Sequence, residues 1–400
     1  MKVLLVGSGG REHALAWALT RSARLSELHA APGNPGIAQL ASCHPARADD
    51  PASIVPLAAE LRADLVVVGP ETPLVAGLAD ELRHRGIAVF GPSAGAARIE
   101  GSKSFAKDVL KAAGIPTARL LPVARPPCVV KADGLAAGKG VWVCRTQDEL
   151  ETSLRAAEAL GQPFHVEELL EGKEVSIFAL CDGARAFPLP AAQDYKRIGD
   201  GDEGPNTGGM GSYSPFPRLT DADVADLVEL IHEAVLRELA RRGTPFQGAL
   251  YAGLMLTETG PRVLEFNCRF GDPETQSLLP LLNGDLLDAL GACAAGDLRG
   301  ISLSASGQAA VTIVLAADGY PERGDSGTPI DGVAAAEAAG GLVFHAGTAL
   351  QEGRLVTNGG RILNVTALGD SIATARAAAY AAASHIDFAG VRFRHDIADV

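Results

Sequence analysis

Residues 1–15 read MKVLLVGSGGREHAL, a short apolar run at 3–6 that enters Gly7, Ser8, Gly9 and Gly10 and gives way to helical spacing near 13–21. A strand, a glycine turn and a helix in that order open a βαβ unit, whose strands pair in parallel. Outward from this stretch the alternation continues with an apolar run at 64–68, a helix near 74–85 and a second run at 87–90. Residues 1 to about 98 therefore predict a parallel sheet flanked by helices. After the turn at 91–93, a helical pattern spans 103–113 and stops at Gly114, with Pro116 beyond it, so a domain boundary is expected near 100.

The glycine turn presents backbone N–H groups and a helix N-terminus, which makes Gly9, Gly10, Arg11 and Glu12 candidate contacts for a phosphate or another anionic substrate. A tight turn with no ligand explains the glycines equally well on pattern alone. A nicotinamide-dinucleotide fingerprint fails twice: the sixth position is Glu12 rather than glycine, and the second strand runs into AAPGN with no acidic residue.

From Pro126 the pattern changes to strands with glycine-rich turns. Runs at 128–131, 141–144, 164–169 and 175–180 with one helix near 147–160 predict an α+β lobe over about 118–185. Residues 194–214 carry glycine, aspartate and asparagine with almost no apolar periodicity and read as a long loop, which inside a compact protein is usually functional or disordered. A strong helix near 221–242 and strands at 248–256 and 262–267 follow. From 306 onward, β runs at 309–316, 342–346 and 362–367 and an alanine-rich helix at 372–384 predict a third, smaller domain. The expected division is 1–100, 101–305 and 306–400, a multidomain chain of α/β and α+β parts.

Composition narrows the function. With 400 residues, 47% hydrophobic and 21% charged, the chain has the balance of a globular multidomain protein. Lys plus Arg number 35 against 48 Asp plus Glu, a formal charge of −13 that repels a phosphate backbone and argues against nucleic acid as partner. Six scattered cysteines without a CxxC pair read as reduced core thiols. The opening residues are unlike a signal peptide, and no apolar stretch approaches the roughly 20 residues of a membrane span, so no membrane partner and a cytoplasmic location are expected.

Three further stretches bear chemistry. In VVKADGLAAGKGV (129–141), Lys131 ends a strand, and Gly134, Gly138 and Gly140 form a flap tipped by Lys139. Small residues let amides approach phosphate oxygens while lysine supplies a point charge. The spacing is not that of a Walker A loop, and a plain hairpin turn would explain the glycines but not the two lysines. In HVEELLEGKEVSIF (165–178), Glu167, Glu168, Glu171 and Glu174 border an apolar strand, and taken alone they read as a solvated face. In RVLEFNCRFGDPETQ (262–276), Glu265 and Asn267 lie two apart on a strand and so share a face. A carboxylate and an amide oxygen suit Mg²⁺, which keeps waters or substrate phosphates in its remaining positions. Arg269, Asp272 and Glu274 follow at once on a loop.

RFGDPETQ at 269–276, together with GSGGREHAL at 7–15, GPETPLVAG at 69–77, SKSFAK at 102–107, VVKADGLAAGKGV at 129–141 and GPNTGGMGSYSP at 204–215, resembles the motif series of the phosphoribosylamine-glycine ligases. These are also called glycinamide ribonucleotide synthetases and belong to the ATP-grasp superfamily. The resemblance covers residues 1 to about 285, and the remainder is similar in length and pattern only. It implies a Rossmann-like pre-ATP-grasp domain, a two-lobed ATP-grasp unit and a small β-rich C-terminal domain. It also implies the reaction of ATP, glycine and 5-phosphoribosylamine to glycinamide ribonucleotide, ADP and phosphate through glycyl phosphate, by a monomer.

By the same resemblance, Lys107 and Lys131 contact phosphates under a closing loop that includes Gly134, Gly138 and Lys139. Glu167, Glu168, Leu169 and Leu170 meet adenine, largely through backbone, and Glu174 meets the ribose. Glu265 and Asn267 hold Mg²⁺ or Mn²⁺. Substrates meet Gly9, Gly10, Arg11, Glu12, Glu71, Asp194, Lys196, Asn206, Gly208, Gly209, Arg269 and Asp272, with Lys131, Arg269 and Asp272 closest to the chemistry. Many ATP-grasp enzymes carry another acidic metal ligand on the preceding strand, but here that strand reads LYAGLML (250–256).

Glu71 follows the apolar run at 64–68, and Gly9 to Glu12 follow the first strand, so both loops lie at strand carboxyl ends, where open parallel sheets bind ligands. The N-terminal domain is therefore expected to hold the ribosylamine, with Glu71 on ribose hydroxyls, unless Glu71 only caps the helix beginning near 72. Rival readings are an ATP-grasp ligase for another acid or amine and a regulatory module that binds ATP without turnover.

Overall fold

The computed structural model describes residues 1–135 and 140–400. The N-terminal sheet has five parallel strands in the order Ser42–Cys43, Glu27–Pro32, Lys2–Gly7, Leu65–Val68, Ala88–Phe90. Leu65 to Val68 are all buried, as expected for a strand covered by helices on both faces. The direction of winding reverses between Lys2–Gly7 and Leu65–Val68, so the loops at Ser8–Gly9 and Gly69–Pro70 flank a switch point at the carboxyl edge.

The helix Lys103–Ala113 follows its sequence signals closely. The Ser102 hydroxyl accepts from the Phe105 N–H at 3.2 Å, and Gly114 ends the helix at φ 70°. Beyond it, Val141–Cys144, Cys128–Ala132 and Phe164–Glu168 form a three-stranded antiparallel sheet. This sheet packs on the helix Gln147–Ala159, which a Thr146/Glu149 capping box starts, around a small core of Cys128, Val130, Cys144, Leu150 and Ala157. The facing lobe is a four-stranded antiparallel sheet of Ala186–Pro188, Lys173–Asp182, Gln247–Thr257 and Gly260–Asn267. The predicted helix over 221–242 is helical throughout but not uniform. A π-helical segment, Val228–Glu233, joins Asp221–Leu227 to Ala234–Arg241, and within it the buried His232 ring reaches the Leu250 carbonyl at 3.2 Å.

The long-loop reading needs correction. Residues 194–214 are ordered into short strands, Arg197–Gly199 against Glu203–Asn206, with Gln193–Asp194 against Gly211–Ser214. Their order comes from backbone hydrogen bonding, which apolar periodicity does not report. Gly211–Ser214 then pairs with Ala309–Ala316, so the five-stranded sheet runs Gln193–Asp194, Gly211–Ser214, Ala309–Ala316, Arg361–Gly369, Leu342–His345 and spans position 306. A Cβ at Gly211 would come within 2.7 Å of the Thr312 carbonyl oxygen, so only glycine lets these two strands close. Of the six cysteines, all free, five are buried but Cys43 is exposed. No helix among the described residues is long and apolar enough to cross a membrane.

The C-terminal sheet docks on the helix Gly10–Leu19. The His345 N–H donates to His13 Nδ1 at 2.8 Å, and Asn34 Nδ2 donates to the carbonyls of Ser8 and His345, each at 2.8 Å. Burial, with the neighbouring His345, lowers His13 to about 3, and burial lowers His345 and His232 each to about 4. These rings stay neutral in the folded chain, whereas unfolded histidine takes up a proton near 6.5. The stability they permit is present above 6.5 and is lost as pH falls toward 4 and 3, by at most about 1.4 kcal/mol per pH unit for each ring. Glu274, raised to about 7 mainly by burial and next by Asp194, acts oppositely, losing its contribution as pH rises from 4.5 through 7. Buried Glu100 and Asp194 are raised as well and act with Glu274, so a ring's share is read by comparison: in denaturant titrations the stability of the wild type relative to a His232→Asn variant should fall between pH 6.5 and 4. A flat or rising difference on acidification would contradict this account.

Candidate active site

Lys107 and Lys131 are gathered by one carboxylate. Glu167, near the end of Phe164–Glu168, is 1% exposed and accepts from Lys107 Nζ, Lys131 Nζ and His165 Nε2, each at 2.9 Å. Burial would raise Glu167, but His165 and the two ammonium groups outweigh it and hold the carboxyl at about 2. The solvated-face reading is thus wrong for Glu167, whose own buried carboxylate contacts both lysines. Lys107 also donates to Thr117 Oγ1 at 2.9 Å and to the Ala118 carbonyl at 2.6 Å. Glu168 instead pairs outward with Arg119 at 2.7 Å, and Leu169 and Leu170 follow it outside the strand, half-buried. Gly138 and Lys139 lie outside the described residues. At the base of that loop, Lys103 Nζ donates to the Gly134 carbonyl at 3.3 Å.

The strand Gly260–Asn267 carries the metal candidates. Glu265 opposes Gly253 and Asn267 opposes Tyr251, with a bulge at Leu264 just before them. The Leu264 carbonyl accepts from Lys131 Nζ at 3.0 Å, which ties the lysine cluster to this strand. Hydrogen bonding assigns the Asn267 amide with its nitrogen donating to Glu100 Oε1 at 3.0 Å and to the Phe266 carbonyl at 3.2 Å. Its oxygen is then directed away from those acceptors and is free to ligate. The residues present fit a hard divalent cation: one carboxylate and one amide oxygen on a shared face, with lysines nearby to hold phosphates. No group of three or more His, Cys, Asp or Glu among the described residues could cage an ion, so phosphates or water must complete any coordination shell.

Past that strand the chain meets the N-terminal domain. Arg269 donates from Nε to Glu71 at 3.1 Å, from Nη2 to Glu100 at 2.7 Å and from Nη1 to the Phe270 carbonyl at 3.2 Å. Burial opposes ionisation of Glu71, yet Arg269 and then Arg11 pull it down to about 2. Glu71 is the first residue of its helix, Glu71–Val75, behind the N-cap Pro70, and an acidic group in that first turn suits the helix N-terminus, so the capping alternative stands beside the ion pair with Arg269. Buried Arg11 donates to the Phe270 carbonyl at 3.1 Å. Glu12 lies under the glycine turn, accepting from the Gly9 N–H and from Arg11 Nε, each at 2.6 Å. A Cβ on Gly69 would fall 2.1 Å from Glu12 Oε1, and one on Gly10 would fall 2.2 Å from Asn364 Nδ2. Glu12 and Gly10 thus occupy internal packing positions, and a Cβ on Gly9 would fall 2.8 Å from Glu12 Oε2 and 3.6 Å from Asp272 Oδ2.

Asp272 is held by the C-terminal sheet. Arg361 Nη2 reaches Asp272 Oδ2 at 2.8 Å, while Nη1 donates to the carbonyls of Asp272 at 2.9 Å and Gly208 at 2.6 Å. The Gly208 N–H donates to Tyr320 Oη at 2.8 Å, and a Cβ on Gly209 would strike Pro273 at 2.4 Å. Asn206 Nδ2 crosses to the Val141 carbonyl at 3.3 Å. Lys196 Nζ bridges Asp194 at 2.8 Å and Glu174 at 2.9 Å. Burial opposes the Lys196 charge, but these two carboxylates raise it well above its ordinary value. Ser176 Oγ links Tyr251 Oη at 3.2 Å to Glu274 at 3.1 Å beneath them.

The structure therefore gathers Lys107, Lys131 and Glu167 beside the strand of Glu265 and Asn267, pairs Glu71 with Arg269, and ties Asp272 to Gly208 and Gly209 through Arg361. Sequence reasoning missed Glu100, Lys103 and Arg361. Lys103 lies in the quoted SKSFAK block, whereas no local pattern marks Glu100 or Arg361, whose partners are distant in sequence.

Residues 1–100, 101–275 and 310–400 match, in turn, the N domain, the ATP-grasp (A) domain and the C domain of phosphoribosylglycinamide synthetase. The chain belongs to the phosphoribosylglycinamide synthetase family. Its relatives include phosphoribosylamine-glycine ligases of Mesorhizobium japonicum, 49% identical over 99% of this chain and 97% of that protein, and of Streptomyces coelicolor, 50% identical over 100% and 99%. Among solved structures, the phosphoribosylamine-glycine ligase of Thermotoga maritima superposes at a TM-score of 0.84 with 34% identity, over 99% of this chain and 100% of that one. The biotin carboxylase domain of a Hydrogenobacter thermophilus 2-oxoglutarate carboxylase shares the fold alone, at a TM-score of 0.73 and 19% identity over 98% and 91%. Like other members of the synthetase family, this chain thus combines an N domain, an ATP-grasp unit and a C domain with antiparallel sheets.

Proposed function

We propose that this chain ligates glycine to 5-phosphoribosylamine at the expense of ATP, forming glycinamide ribonucleotide, ADP and phosphate. The observation that carries the reading is the hydrogen bond from Lys131 to the Leu264 carbonyl, which sets the phosphate lysines beside the strand of Glu265 and Asn267. Lys107 and Lys131 neutralise the ATP phosphates, and the backbone after Glu168 meets adenine. Glu265 and Asn267 would hold Mg²⁺ or Mn²⁺, which supplies charge neutralisation between the nucleotide and the glycine carboxylate when bound. A carboxylate oxygen of glycine takes the γ-phosphoryl group, giving glycyl phosphate and ADP. The ribosylamine nitrogen then attacks the acyl carbon, and the C–O bond to phosphate breaks with loss of one proton from nitrogen. No protein nucleophile is needed, because positioning and fixed charge supply the catalysis.

On this reading the N-terminal domain holds the ribosylamine between Gly9 and Glu71. Arg269 occupies only Oε2 of Glu71 among the described residues, leaving the other oxygen for ribose hydroxyls. Coupled ADP release is the direct test, and it should require glycine and phosphoribosylamine together. Full-rate release with either alone would sink the assignment. Glu71→Gln should raise the KM for phosphoribosylamine about tenfold, the value of one lost charge-assisted hydrogen bond, while the KM values for ATP and glycine hold. Three unchanged KM values would place the ribosylamine elsewhere.

A further inference from the structure

We infer that Glu100 is the positioning residue that aims the Asn267 oxygen at the bound metal. The inference rests on the metal reading above and concerns a residue no motif marks. Glu100, on the helix Ala94–Gly101, receives three donors from three consecutive residues: Asn267 Nδ2 at 3.0 Å and Arg269 Nη2 at 2.7 Å on Oε1, and the Cys268 N–H at 2.7 Å on Oε2.

An asparagine amide is nearly symmetric in shape, so only its hydrogen bonds decide which end faces a ligand. Turned the other way, the Asn267 oxygen would face the Glu100 carboxylate and the Phe266 carbonyl, acceptor against acceptors. Glu100 thus makes one of two orientations strongly preferred, and it is the orientation that leaves an oxygen for a hard cation. The same carboxylate holds Arg269, which holds Glu71. A continuous chain of polar contacts, Glu71–Arg269–Glu100–Asn267, therefore joins the residue proposed for the ribosylamine to the residue proposed for the metal. Partners of this kind set ligand geometry in metal sites, and removing them commonly weakens metal binding by about 10- to 100-fold.

The test is Mn²⁺ affinity, read from the free-Mn²⁺ electron paramagnetic resonance signal with ADP present. It compares the whole chain with Glu100→Gln, Asn267→Ala and the double variant. Glu100→Gln should weaken Mn²⁺ binding about tenfold or more, while ADP affinity measured without metal holds. The double variant should bind Mn²⁺ no more weakly than Asn267→Ala alone, because Glu100 acts through Asn267. Unchanged Mn²⁺ affinity in Glu100→Gln, or losses that add in the double variant, overturns the inference. Should Glu100→Gln not fold, Glu100→Asp keeps the charge beside Arg269 while drawing back from Asn267, and wild-type Mn²⁺ affinity in that variant overturns it equally. Wild-type chain that holds Mn²⁺ no better than ADP does in solution would fail the metal reading itself, a different outcome from a failure of Glu100 alone.

Discussion

Glu167→Gln should destabilise the nucleotide-free small lobe by about 3 to 5 kcal/mol, the usual cost of removing one partner from a buried ion pair. Two lysine side chains, 12% and 8% exposed, would lose the carboxylate they share, and each would face the other's charge. The effect has a second signature. ATP phosphates bring replacement negative charge to Lys107 and Lys131, so saturating nucleotide should stabilise the variant more than the wild type. Denaturant melts with and without a nonhydrolysable ATP analogue measure both quantities. Equal stability of the two proteins without nucleotide would show that Glu167 does not hold the lysines.

Glu265→Gln should reduce turnover by about 100-fold and shift the divalent-ion requirement to higher concentration. Glutamine keeps the shape but removes the ligand charge, and a loss of roughly 3 kcal/mol of transition-state stabilisation is a hundredfold in rate. The preceding strand offers no carboxylate to compensate, since Gly253 and Tyr251 stand opposite Glu265 and Asn267. Wild-type turnover with an unchanged Mg²⁺ titration would remove Glu265 from the metal site.

What could be read from sequence was whatever is written locally. The Ser102 cap, the Gly114 stop and the apolar runs of the N-terminal sheet are signals carried within a few residues, and the helix Lys103–Ala113 lies where they place it. The pairing of Glu265 with Asn267 follows from the two-residue strand period and needs no tertiary knowledge. Glu167 was harder, because the residues that bury it, Lys107, Lys131 and His165, come from three different stretches of chain. Glu100 and Arg361 were illegible for the same reason, their donors or acceptors lying 168 and 153 residues away. The segment at 194–214 misled because its strands are held by backbone pairing, which leaves no trace in side-chain periodicity.

The sheet that runs from Gln193–Asp194 to Leu342–His345 alters what a truncation of this protein would mean. Ending the chain near 306 would strip Gly211–Ser214 of the neighbour along its open side, exposing unpaired amides and carbonyls next to the segment that carries Gly208 and Gly209. Such a bare edge is a template for another chain, so the shortened protein would be inclined to stick to its own copies. Asp272 would lose Arg361 in the same cut. The residues beyond 306 therefore act less as an appendage than as the closing half of a zipper, and the loop of Gly208 and Gly209 is one of its teeth.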